Sequence, residues 1–208
     1  MTTADLPRAL CYIRFSISLL TRLSMLKRKP FVYPLIILVF LSLSAPIFAA
    51  SKAWYAPRLA KLGFYVFDSA FTQPDFKVAD LAGAQKSRNS LKGKVVLLNF
   101  WATWCPPCKE EIPSIDALSK AMKGKNFEVF AVSLGEDSQT VQGFVDDQKI
   151  SFPVYLDPRN TLARNYASQG IPTTYILDKE GRFIAGMVGS YNYANPEFIA
   201  LLDELVRR

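Results

Sequence analysis

Apolar positions along this chain fall into runs of different length, and the lengths separate the elements. The longest run, Phe31 to Ala50 (FVYPLIILVFLSLSAPIFAA), carries no charge over 20 residues. At about 1.5 Å per residue a helix of that length crosses the hydrocarbon core of a bilayer. Shorter runs read as buried strands: Val95 to Trp101, Phe127 to Ser133, and Phe152 to Leu156. Elsewhere the apolar residues recur at helical spacing. Val141, Phe144 and Val145 predict a helix over Ser138 to Lys149, and Phe198, Leu201, Leu202 and Leu205 predict one over Pro196 to Arg207. A helix is also expected from about Pro106 to Met122, kinked at Pro113 and ended by Gly124, and a short one from Asn160 to Tyr166. Thr173 to Leu177, the turn Asp178-Lys179-Glu180-Gly181 and Arg182 to Val188 predict a hairpin. Strands alternating with helices imply an α/β domain, a central mixed sheet flanked by helices on both sides.

The uncharged run comes directly after Lys27-Arg28-Lys29 and Pro30. A positive flank stays cytoplasmic, so the chain beyond the run is exported. The expected organisation is a cytoplasmic leader (1–30), a transmembrane anchor or signal segment (31–50), a tether (51–71) and a folded domain (72–208). The tether carries scattered aromatics, Trp54, Tyr55, Phe64, Tyr65, Phe67 and Phe71, without clean periodicity. Ile47-Phe48-Ala49-Ala50-Ser51 is a poor match to a signal-peptidase site, so a retained anchor is expected over a cleaved signal. Met25 begins a complete short positive region and is expected to be the true start. The alternative for residues 1–24 is an organelle transit peptide, because they hold Arg and Ser and a single acid. Cys11 lies there and reads as an incidental thiol.

The formal charge is +7, and its distribution matters more than its size. Residues 1–50 hold six Lys/Arg against Asp5, a balance of +5, whereas residues 51–208 hold the other 19 basic and 17 acidic groups, a balance of +2. No nucleic-acid partner is expected from a domain so nearly neutral. The chain has no histidine, which excludes Cys/His zinc sites, a Cys-His nucleophile pair and histidine-ligated copper. Its three cysteines, Cys11, Cys105 and Cys108, supply neither a four-thiolate zinc site nor a structural disulfide framework.

Trp104-Cys105-Pro106-Pro107-Cys108 stands at a strand-to-helix junction. Two cysteines at that spacing and place form a redox pair. The helix start aims free N–H groups and the positive dipole end at the first sulfur, and the second lies three residues on, close enough for a disulfide. Cys105 is therefore the expected nucleophile and Cys108 the resolving thiol, with their disulfide as the redox group and no other cofactor. Pro106 and Pro107 have no N–H, so only the Cys108 N–H and the dipole remain to stabilise a Cys105 thiolate. A weakly stabilised thiolate implies a stable disulfide, hence a reductant. Trp101 is expected in the core. Trp104 is expected to offer flat apolar surface to a substrate, with simple packing as the alternative.

Val95 to Glu111, VVLLNFWATWCPPCKEE, resembles the active-site segment of the thioredoxin superfamily, and most resembles its membrane-anchored TlpA-like (ResA-like) branch. Pro74-Asp75-Phe76 and Gly170-Ile171-Pro172-Thr173-Thr174 extend the match, which spans roughly residues 72 to 208. The resemblance implies a thioredoxin-like fold with an opening strand over Asp75 to Leu81, a turn at Ser90 to Lys94, and an inserted helix and strand from Ser138 and Phe152 that mark the TlpA-like branch. It implies that Pro172 follows a cis bond facing the cysteines, which would leave the backbone of Ile171 free to pair with a substrate chain. In this branch a glutamate at the place of Glu111 acts near the second cysteine. Raised by burial, such a carboxyl takes the Cys108 proton; the competing reading is a solvated acid at the helix start, favoured for Glu110. Plain thioredoxin has an aspartate where this chain has Asn99, and a neutral amide is no base.

The function these features imply is a thiol–disulfide oxidoreductase, a reductase of protein disulfides. It is expected as a single-pass protein of the inner (cytoplasmic) membrane with its thioredoxin-like domain facing the periplasm or outside. Its partners would be protein dithiol or disulfide clients, apocytochrome c among them in the resembling family, and a membrane electron donor of the thiol-reductase type. The alternatives are a disulfide oxidant, a thioredoxin-fold copper or metal chaperone using the two thiolates, and a thiol peroxidase, for which Thr103 is present but the wider pattern is missing.

Overall fold

The structure, a computed structural model, describes residues 54–208. The leader, the uncharged run and the first three residues of the expected tether lie outside the described residues. Among the described residues no helix is long and apolar enough to cross a membrane.

One eight-stranded mixed sheet organises the domain. Its strands are β1 (Tyr65–Phe71), β2 (Lys77–Asp80), β3 (Gln85–Ser87), β4 (Val95–Trp101), β5 (Phe127–Leu134), β6 (Val154–Asp157), β7 (Thr173–Leu177) and β8 (Phe183–Val188). They lie in the order β1-β8-β7-β4-β5-β6-β2-β3. β4 runs parallel to β5 and antiparallel to β7, with Asn99 opposite Ala131 on one side and Thr174 on the other. α1 (Ala56–Lys61) precedes the strands, a 3-10 turn (Arg88–Leu91), α2 (Pro106–Ala121), α3 (Ser138–Gln148) and α4 (Ala163–Tyr166) come between them, and α5 (Pro196–Arg207) follows.

The pleat of β4 sorts its residues between two cores. Val95, Leu97 and Trp101 enter a cluster with Leu59 of α1, Ile112, Ile115 and Leu118 of α2, Val141 of α3, and Phe198, Leu201 and Leu202 of α5. Val96, Leu98 and Phe100 enter the opposite cluster with Phe130, Tyr155, Tyr166 and Phe183. By the same alternation Asn99, the one polar residue of β4, belongs to the first face, under α2. β4 is buried at every position, which explains its continuous apolar run.

Residues 56–71, expected to be a tether, are instead part of the folded unit. α1 and β1 occupy them, and β1 is the sheet's edge strand against β8. The physical reason is non-local. Phe64 stacks on Phe198 at 5.1 Å between ring centroids, and Arg58 pairs with Glu204 at 2.7 Å, both on α5. Along β1, Val66 and Ala70 reach one core and Phe67 and Phe71 the other, so the strand carries apolar residues to both faces and lacks a single apolar stripe.

Smaller differences have local causes. β6 starts two residues later than expected, after Pro153, which has no N–H for a ladder. α4 is shorter than expected because Asp157 takes the Thr161 hydroxyl at 2.9 Å and the Leu162 N–H at 2.7 Å, which keeps that stretch a turn. β2 is shorter because Asp75 turns to the Ser87 hydroxyl and the Asn89 N–H. α2 runs through Pro113 to Ala121, and Gly124 takes the left-handed φ of 80° just past its end.

Candidate active site

β4 ends at Trp101 and α2 begins at Pro106; the turn between them ends at Cys105, and Cys108 lies in the first turn of α2. Cys105 is the N-cap of α2. Its backbone is extended and its Sγ accepts the Cys108 N–H at 3.3 Å. Pro106 and Pro107 are the first helical residues, where a missing N–H costs the helix nothing. Cys105 and Cys108 are disulfide-bonded. Cys105 keeps 3 % of its surface exposed and Cys108 none.

The Ile171–Pro172 bond is cis, and the Ile171 carbonyl oxygen lies 3.7 Å from Cys105 Sγ. Trp104 projects into solvent, 66 % exposed, whereas Trp101 is buried with its indole N–H unpartnered. The turn carrying Trp104 is held by a residue that the sequence did not single out. The buried Glu136 carboxylate accepts the Thr103 N–H at 2.9 Å, the Thr103 hydroxyl, and the Ser133 hydroxyl at 2.6 Å.

Glu111 lies one helical turn beyond Cys108 and is buried, 1 % exposed, so the solvated-acid arrangement describes Glu110 and not Glu111. Asn99 Nδ2 donates to Glu111 Oε1 at 2.8 Å, and the Tyr191 N–H donates to Oε2 at 3.3 Å. Burial pushes the Glu111 carboxyl up to about 8, against the two hydrogen bonds, which favour the ionised form. The Asn99 amide also donates to Thr174 Oγ1 at 2.8 Å, and the Tyr193 hydroxyl donates to the same oxygen at 2.7 Å. Burial drives the Tyr193 phenol well above its ordinary value, so it stays protonated.

The structure thus brings Cys105, Cys108, Trp104, Ile171 and Pro172 to one end of the sheet, with Glu111 buried one helical turn beyond Cys108. Thr174 stood inside the Gly170-Ile171-Pro172-Thr173-Thr174 segment, whereas Tyr191 and Tyr193, in the loop after β8, carry no local signal. Among the described residues no three Cys, Asp or Glu side chains gather as a metal site would require.

Residues 72–185 match the AhpC/TSA family. The thiol-disulfide oxidoreductase ResA of Geobacillus thermodenitrificans is 33% identical over 134 residues, which cover 60% of this chain and 77% of that protein. ResA of Bacillus subtilis is 32% identical over 142 residues, covering 64% and 79%. Among solved structures, a thiol:disulfide interchange protein of the thioredoxin family from Chlorobium tepidum superposes with a TM-score of 0.57 at 28% identity, covering 67% of this chain and 99% of that one.

Proposed function

The chain belongs to the AhpC/TSA thioredoxin-like family and is a thiol–disulfide oxidoreductase, and from that premise we propose that it reduces protein disulfides outside the cytoplasm while anchored by residues 31–50. In the proposed cycle the Cys105 thiolate attacks one sulfur of a client disulfide. A mixed disulfide forms and the client's other sulfur leaves as thiolate. Cys108 gives its proton to Glu111, and its thiolate attacks Cys105 Sγ. The client's second sulfur leaves and the Cys105–Cys108 disulfide remains. Two electrons have passed to the client, and a membrane donor of the thiol-reductase type must return them. The dithiol is itself the redox group, and the cycle draws on no cofactor beyond it.

Cys105 at the N-cap with a single N–H donor is the observation that carries the direction of electron flow. Two prolines remove the donors that would make a strongly stabilised thiolate, so the disulfide is favoured and the dithiol reduces. Trp104 and the Ile171 backbone beside Cys105 form the docking surface, where an extended client segment adds as a strand. The resemblance to the TlpA-like branch, with α3 and β6 as its insertion, favours the haem-attachment cysteines of apocytochrome c as clients. The positive flank at Lys27-Arg28-Lys29 favours the inner membrane with the domain on the periplasmic or outer side.

The reduction potential of the Cys105–Cys108 pair, monitored by tryptophan fluorescence of the full chain in a redox buffer, tests the direction. A value near or below about −250 mV places it with reductants, and one near about −120 mV makes it an oxidant and overturns the reading.

A further inference from the structure

We propose that Thr174 and Tyr193 are positioning residues that act on Glu111 through Asn99, holding an amide N–H against its carboxylate. The inference rests on Glu111 as the acceptor of the Cys108 proton and names what prepares it for that task. Four segments meet here: β4 supplies Asn99, α2 Glu111, β7 Thr174 and the loop after β8 Tyr193. All four side chains are buried. A buried phenol has no water to turn to, and the Tyr193 hydroxyl gives its hydrogen to Thr174 Oγ1. The same oxygen accepts one Asn99 amide hydrogen, and the second amide hydrogen goes to Glu111 Oε1. A primary amide has two hydrogens, and here each has one assigned acceptor, so the nitrogen rather than the oxygen of Asn99 faces the carboxylate.

The loop is tied to the same turn of α2. Tyr193 N–H donates to Ser114 Oγ at 3.0 Å, and the Ser114 hydroxyl reaches the Glu111 carbonyl at 2.7 Å. The titratable group close enough to interact with Glu111 is Tyr193 from the loop, while Cys108, one turn back on the same helix, is held in the disulfide. No charged side chain is among the groups that perturb it, which are burial, the Asn99 amide and the Tyr191 N–H. Among the described residues an oriented amide donor is therefore one of two polar contacts that favour the ionised form.

The test uses the oxidised full chain with ¹³C-labelled glutamate carboxyls, the Glu111 signal being the one lost in Glu111→Gln. Thr174→Val and Tyr193→Phe are expected to raise the Glu111 titration midpoint by about half to one pH unit. In the reduced protein, client release from the mixed disulfide at pH 7 should then slow about three- to tenfold, because less carboxylate is present. Thr174→Ser, which keeps the hydroxyl, should restore both. Tyr175→Phe, which loses a hydroxyl bonded to the Tyr166 carbonyl at 2.8 Å outside this chain of contacts, should move neither. A midpoint that stays at the wild-type value in Thr174→Val and Tyr193→Phe overturns the inference. A midpoint that rises while these variants and Glu111→Gln all release client at the wild-type rate upholds the positioning and overturns Glu111 as proton acceptor. Where Thr174→Val does not fold, Tyr193→Phe decides alone.

Discussion

Glu111 keeps a carboxyl out of water where, among the described residues, no cation compensates it, and ionising it there costs the fold free energy. Its raised pKa sets the consequence for stability. An unfolded chain gives up this proton near the ordinary 4.5, whereas the folded chain keeps it to about 8. Between those values unfolding releases a proton, so the Glu111 contribution makes the protein less stable as pH rises, and the loss is complete above about 8. Glu111→Gln should therefore gain thermal stability over wild type that is larger at pH 8 than at pH 5, by roughly 2–4 °C per kcal/mol relieved. Melting temperatures of both proteins at the two pH values check it, and a constant gap would refute the assignment. At Trp104 the expectation is opposite in kind. With the indole largely in solvent, Trp104→Ala should shift stability by no more than about 0.5 kcal/mol yet raise the KM for a disulfide client. A loss of stability above that with unchanged KM would make Trp104 a packing residue.

α1 and β1 show how an element escapes a pattern reading. α1 is tied to α5, more than a hundred residues away in the chain, and β1, paired with the equally distant β8, divides its apolar residues between both faces of the sheet. Leu59 of α1 is wholly buried in the core cluster that also holds Phe198, Leu201 and Leu202 of α5. Leu59→Ala should cost about 2–5 kcal/mol and Phe64→Ala about 3–5 kcal/mol in urea unfolding of the full chain. Costs near zero would return residues 56–71 to the status of a tether. By contrast β4, β5, α2 and α5 lie where the runs and spacings place them, because a strand buried on both faces and a helix with one apolar face each leave a local signature.

At the scale of the molecule, the charge balance sets residues 1–50 apart from the rest of the chain. If residues 31–50 remain in the bilayer, the full chain should stay in the membrane fraction through a high-salt wash, since apolar burial and not ion pairing holds it. Release into the soluble fraction by salt would remove the anchor from the proposal. The position of the redox pair at the end of β4 also depends on the whole. Parallel β5 and antiparallel β7 flank β4, and only that arrangement brings the cis Ile171–Pro172 bond beside Cys105, 66 residues apart in sequence.

The sequence by itself determined what depends on near neighbours: the strand-to-helix junction at Cys105, the two prolines that remove N–H donors, the placing of Glu111 one turn beyond Cys108, and the order of elements from β4 to α5. These are short-range consequences of peptide geometry and of apolar periodicity, which act over three or four residues. Only the tertiary structure decided that residues 56–71 join the folded domain, that Glu136 holds the turn at Thr103, and that Asn99, Thr174 and Tyr193 converge on Glu111. Those contacts join residues 12 to 146 positions apart. No local pattern encodes them, because they are set by which faces of the sheet the helices and loops must cover.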